Sequence, residues 1–206
     1  MPAGVANQTG QNGFLPNGNF SFTDDFTQPK LDFRWIGVRG PRENFISTSS
    51  EGLSIKPYPL SIKAIEPTST LFFRQQHASF EATVQMKYTP QLEKDMAGIV
   101  CYQKETYNYV FGITKKGNDL YIILGRTEKG KSTIVGSEKI ELHNAVRLKV
   151  AAQGDAYTFS YSTDDHNFRN VGGTVSGDIL STDIAGGFTG ALIGLYATSA
   201  NDITVP

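Results

Sequence analysis

The residues best suited to chemistry are an aromatic and amide-rich set: Trp35, Tyr102, Tyr107 and Tyr109 with Arg74, Gln75, Gln76, His77 and Gln103. Pyranose sugars present an apolar ring face and a rim of hydroxyls, which suit aromatic platforms and planar hydrogen-bonding groups. Substrate binding of a carbohydrate is therefore the chemistry to expect of Trp35, Arg74, Gln76, Tyr102, Gln103 and Tyr107. In a strand, Arg74 and Gln76 share one face while Gln75 and His77 share the other. The plainer alternative has the tyrosines filling the edge of the core and Arg74 paired with a buried acid. Phe188 is a further candidate, because Ala185-Gly186-Gly187-Phe188-Thr189-Gly190 surrounds it with glycines. Such a run can carry the ring on a tight, projecting loop. The competing reading is a core phenylalanine at the start of the strand through Leu192 and Ile193.

Bond-breaking chemistry finds no comparable support. His77, His143 and His166 sit in no nucleophile or zinc motif and are expected to be surface or structural residues, with His166 in the polar turn Asp164-Asp165-His166-Asn167. A glycosidase usually needs two carboxylates flanking the scissile bond. The nearest approach to an ExDxxE strand is Glu93-Lys94-Asp95, with Gly98 where the last carboxylate should fall. Glu81 reads as a solvated charge on the polar face of its strand. No catalytic residue is assigned, and no cofactor is expected. Asp24 and Asp25 have the oxygen chemistry of a calcium site, but adjacent acids at a strand start are common without a metal, so no metal ligand is assigned either. The single cysteine, Cys101, excludes an internal disulfide framework and a thiolate metal cluster.

These side chains must be positioned by strands. Phe80-Glu81-Ala82-Thr83-Val84-Gln85-Met86-Lys87-Tyr88 alternates apolar or Ala with polar, as does the stretch from Val146 to Val150 and that from Tyr157 to Ser162. Each predicts a strand with one buried face. Gly98 to Gln103, Tyr107 to Ile113 and Leu120 to Leu124 are apolar on both faces and belong mid-sheet. Gly154-Asp155 and Lys115-Lys116-Gly117-Asn118-Asp119 supply hairpin turns. No segment shows a convincing helical period and no internal repeat is evident, so the fold class is all-β, an antiparallel two-sheet β-sandwich.

With 206 residues and 39% hydrophobic content the chain can bury one sizeable core. Residues 1–19, rich in Gly, Asn, Gln and Pro, read as a linker, leaving 20–206 as one domain. Nineteen basic against twenty acidic residues give a net charge of -1, a poor match for nucleic acid or anionic lipid. The sequence has neither a membrane-spanning apolar run nor the opening of a signal peptide, and the expectation is a soluble chain of undetermined compartment.

A resemblance gathers these fragments. Asp24-Asp25-Phe26, Phe33-Arg34-Trp35, Leu53-Ser54-Ile55, Arg74-Gln75-Gln76-His77, Gly98-Ile99-Val100-Cys101-Tyr102-Gln103, Tyr161-Ser162-Thr163-Asp164 and Gly187-Phe188-Thr189-Gly190-Ala191 together resemble the concanavalin-A-like domain that follows the five-bladed catalytic propeller in β-xylosidases and α-L-arabinofuranosidases of glycoside hydrolase family 43. The RQQH stretch together with GGFTG is the distinctive part. The resemblance implies a concanavalin-A-like jelly roll and a non-catalytic accessory domain. Its partners would be a propeller catalytic domain of the same parent chain and a xylo-oligosaccharide or arabinoxylan-derived sugar. It also implies that Phe188 is the aromatic that walls the sugar pocket. Such domains tend to close with an Asp- and aromatic-rich strand, whereas Asn201-Asp202-Ile203-Thr204-Val205-Pro206 stands here, and the expectation is either an unpaired edge or a trimmed chain. A free-standing binding module for xylan or related hemicellulose is the alternative, and an independent hydrolase using Glu81 or Glu105 is a third reading.

Overall fold

Alternating and doubly apolar stretches condense into two packed sheets. The computed structural model describes residues 21–40, 44–164 and 166–205, so the expected linker lies outside the described residues. In chain order the strands are β1 (Ile46–Ser49), β2 (Gly52–Ile55), β3 (Thr70–Arg74), β4 (Ser79–Met86), β5 (Met96–Lys104), β6 (Tyr107–Lys116), β7 (Asp119–Glu128), β8 (Lys131–Ile140), β9 (Val146–Gln153), β10 (Ala156–Ser162), β11 (Arg169–Ser176) and β12 (Leu192–Thr198). A six-stranded sheet runs β3-β12-β5-β6-β7-β8, a four-stranded sheet runs β11-β10-β9-β4, and β1 pairs with β2 as a separate hairpin. These strand pairings are all antiparallel. β12 enters between β3 and β5, with Leu192 opposite both Arg74 and Tyr102.

Two of the three alternating strands, β4 and β9, behave as their period requires, whereas β10 is not half-buried: Ser160 and Ser162 are buried along with Tyr157, Phe159 and Tyr161. On β4, Phe80, Ala82, Val84 and Met86 turn inward while Glu81, Thr83 and Gln85 face solvent. On β9, Val146, Leu148 and Val150 are fully buried. β5, β6 and β7 occupy the middle of the large sheet and are covered on both faces. Tyr109, Phe111 and Ile113 point into the space between the sheets, where Phe159 of β10 lies 5.7 Å from the Tyr109 ring and 5.4 Å from that of Phe111. Val100, Tyr102, Val110 and Ile123 point to the opposite face, where Ile62, Ile203 and the partly buried Ile36 and Val38 cover them. Each large side chain fully buried in this way contributes about 1.5–3 kcal/mol.

Two local expectations are corrected. The RQQH stretch is not a strand throughout, since β3 ends at Arg74 and Gln75 to His77 lie beyond it. The connection between β11 and β12 is not purely irregular: it contains a 3-10 turn (Asp178–Leu180) and one turn of α-helix, α1 (Thr182–Ala185). Ser181 caps α1 by accepting from the Ile184 amide, and Gly186, at φ 73°, ends it. A serine before the turn and a glycine after it were the legible signal, too short to stand out against the strand pattern.

Candidate functional site

The two glycines after α1 turn the chain outward. Gly186, Gly187 and Gly190 have φ values of 73°, 89° and 69°, a region other residues rarely adopt. Phe188, held between them, has a relative exposure of 103%, so its ring rests on no neighbour. The core-strand reading of Phe188 is thereby excluded. A Cβ placed at Gly187 or Gly190 would meet nothing within 4 Å, which shows how open the space around the loop is.

The loop is nevertheless anchored at both ends. Arg74, the last residue of β3, donates from Nη1 to the Thr189 carbonyl at 2.8 Å. Gln103 of β5 donates from Nε2 to the Gly186 carbonyl at 3.2 Å. Beyond Arg74 the Gln75 amide donates to Ala191 O at 3.1 Å, and β12 begins one residue later. Gln75 is itself held, because the Tyr157 hydroxyl donates to its Oε1 at 2.7 Å. The β5–β6 register shifts between Tyr102 and Lys104, a bulge at Gln103 that aims its amide toward the loop. Lys104 extends over the Tyr107 ring, with Nζ 5.3 Å from the centroid.

The expected sugar-binding residues divide among three places. Phe188, Arg74 and Gln103 meet at the loop, with Tyr107 beneath Lys104 nearby, but Gln103 and Tyr107 are buried. Tyr102 is also buried, on the outer-face core with its ring 5.3 Å from Phe72, and Tyr109 is fully buried with its hydroxyl donating to Ser176 O at 2.8 Å. The expectation that these tyrosines form open platforms is corrected: β5 and β6 are central strands, and both faces of their sheet are covered. Trp35 and Gln76 line a separate groove of about 1290 Å³ between the β3–β12–β5 region and β4. There the Trp35 indole donates to Asp24 Oδ2 at 2.7 Å and its ring meets Phe73 edge-on at 5.7 Å. Arg74 borders both regions.

The acids serve the fold. Asp24 Oδ1 accepts from the Phe26 amide and Asp25 Oδ1 from the amide and hydroxyl of Thr27. The hydrogen bonds from Thr27 hold the Asp25 carboxyl below its usual range. Glu93 accepts from the Gly117 amide, and Asp95 accepts from the amides of Gln91 and Leu92. Glu105 binds Arg39 at 2.5 Å, and Glu81 faces solvent 3.5 Å from Lys149. Asp164 organises its predicted turn, and the side chain and amide of Asn167, with the amide of His166, hold its carboxyl well below the ordinary range. His77, His143 and His166 are exposed. Among the described residues no three His, Cys, Asp or Glu side chains converge as metal ligands do.

Comparison with known proteins places this arrangement. The chain is 27% identical over 177 residues to a non-reducing end α-L-arabinofuranosidase, BoGH43B, of Bacteroides ovatus, covering 85% of the chain and 33% of that protein. It is 28% identical over 176 residues to a xylosidase/arabinosidase of Butyrivibrio fibrisolvens, covering 84% of the chain and 34% of that protein. Among solved structures, a GH43_12 protein retrieved from a capybara gut metagenome superposes with a TM-score of 0.88 at 39% identity, over 96% of this chain and 38% of that one. The chain thus spans about a third of the length of the curated relatives it matches. Residues 23–204 match the model of the β-xylosidase C-terminal concanavalin-A-like domain. That match covers both sheets and the Phe188 loop, and the chain belongs to this family of C-terminal domains of family 43 glycoside hydrolases.

Proposed function

We propose that this domain is a non-catalytic accessory part of a xylosidase or arabinofuranosidase, and that Phe188 covers an apolar sugar face at the edge of a pocket whose acids lie on a propeller catalytic domain. The observation that carries the reading is a fully exposed phenylalanine on a loop anchored at both ends. Leaving such a ring in water forgoes about 1.5–3 kcal/mol of burial, which a partner surface or a sugar would recover. Ile184, on the adjoining α1, is also half exposed, so the apolar surface extends beyond one ring. Arg74 at the Thr189 carbonyl and Lys104 near Gly186 add polar groups beside the loop, an arrangement that suits an aromatic anchor closing a site against water. The names of the relatives support a xylosyl or arabinosyl substrate for the parent enzyme.

The test is Phe188→Ala in an enzyme carrying this domain. With no buried contacts to lose, the 206-residue chain should keep its melting temperature, while kcat/KM on nitrophenyl xyloside or arabinofuranoside falls by about tenfold or more. An unchanged kcat/KM on both substrates would sink the proposal.

A further inference from the structure

The loop that presents Phe188 has little of its own to keep it in one shape. Three of its residues are glycines at positive φ, and a Cβ at Gly187 or Gly190 would meet nothing within 4 Å. Such a segment loses much backbone freedom when it orders, and contacts from outside the loop must offset that loss. Two side-chain donors from strands of the large sheet reach its carbonyls. Arg74 Nη1 lies 2.8 Å from Thr189 O, one residue after Phe188, and Gln103 Nε2 lies 3.2 Å from Gly186 O, two residues before it.

We propose that Arg74 and Gln103 are positioning residues that clamp the Phe188 loop and fix the direction of its ring, rather than groups that touch sugar. Each donor is set by a rigid strand. Arg74 is paired with Leu192 of β12, and Gln103 sits in the β5 bulge with only 6% of its surface exposed. The two anchors are 115 and 83 residues from their partners in sequence, so they tie the loop to the sheet and not to its own neighbours. A guanidinium bond to a carbonyl is charge-assisted and is the stronger of the two. The consequence for catalysis rests on the reading of Phe188 given above, whereas the clamp itself does not.

The clamp is tested on the 206-residue chain by chymotryptic cleavage after Phe188 under native conditions, where the rate follows how often the loop opens. Arg74→Met keeps the aliphatic stem and removes the donor, and cleavage should rise about tenfold; Gln103→Met should raise it about fivefold. Arg74→Lys retains a cation that reaches a carbonyl and should restore most of the protection. If Gln103→Met lowers the melting temperature, Gln103→Asn, which only withdraws the amide, takes its place. Cleavage unchanged in both the Arg74→Met and the Gln103 variant overturns the clamp. In the parent enzyme, Arg74→Met should lower kcat/KM as Phe188→Ala does, and the double variant should be no worse than Phe188→Ala alone. An additive loss in the double variant overturns the positioning role, because it means that Arg74 acts independently of the ring. Increased cleavage with full activity in Phe188→Ala leaves the clamp standing and removes only the proposed function.

Discussion

Tyr107 and Phe111 lie four residues apart on the inward face of β6, and their environments differ by degree. Phe111 is fully buried against Phe159, while Tyr107 retains 9% exposure at the end of the strand under Lys104. Phe111→Ala should cost about 3–5 kcal/mol in urea denaturation, as a large cavity between the sheets. Tyr107→Ala should also destabilise, by about 2 kcal/mol or more, because its ring is packed and not displayed. A Tyr107 variant of unchanged stability would restore that ring as a surface platform. Phe188 has the opposite character, and the same aromatic chemistry serves packing in one place and presentation in the other. The alternation through Tyr107, Tyr109 and Phe111 correctly signals a shared face, but it carries no information about what covers that face.

At the scale of the element, β7 shows how the outer core sets limits on the sheet. The β7–β8 register shifts between Leu124 and Gly125, and a Cβ at Gly125 would fall 2.1 Å from Ile203 Cδ1 and 3.0 Å from Val110 Cγ2. Ile203, in the segment after β12, is buried against this spot. Gly125→Ala is therefore expected to cost about 1–3 kcal/mol by overpacking. Ile203→Val removes the atom that the new methyl would strike, so the double variant should be more stable than Gly125→Ala alone by differential scanning calorimetry. Additive destabilisation would mean that the strain lies in the strand backbone. The hairpins β6–β7 and β9–β10 were legible from Gly117-Asn118 and Gly154-Asp155, since turn chemistry is local. The insertion of β12 between β3 and β5 was not, because nothing near either strand in sequence names its partner.

Across the whole molecule, the sheets are joined by tyrosine hydroxyls as well as by apolar packing. Tyr109 of β6 donates to Ser176 O at the end of β11, Tyr161 of β10 donates to Glu138 of β8, and Tyr157 of β10 donates to Gln75 beyond β3. Burial pushes the Tyr109 and Tyr157 phenols up to about 12 from an ordinary value of 10.0. A folded-state pKa above the unfolded one means that this stabilisation is complete below pH 10 and is lost as pH rises toward 12. Stability should accordingly fall across that interval, followed by tyrosinate absorbance together with near-ultraviolet circular dichroism. Tyr109→Phe should be less stable at neutral pH and should show a shallower alkaline decline. A decline as steep in Tyr109→Phe as in the parent chain would argue against Tyr109 as a contributor.

The sequence alone determined the all-β class, the half-buried strands β4 and β9, the doubly covered centre of the large sheet and the family resemblance, which the match over residues 23–204 bears out. These properties follow from local periodicity and from motifs a few residues long, which the chain carries regardless of its path. Tertiary structure alone decided that Tyr102 and Tyr109 are core, that Phe188 is wholly exposed, and that Arg74 and Gln103 meet loop carbonyls. Arg74 and Gln103 have a composition suited to sugar, and no local pattern distinguishes a donor that faces a ligand from one that faces its own backbone. Only the packing that brings Thr189 to Arg74 across 115 residues makes that choice.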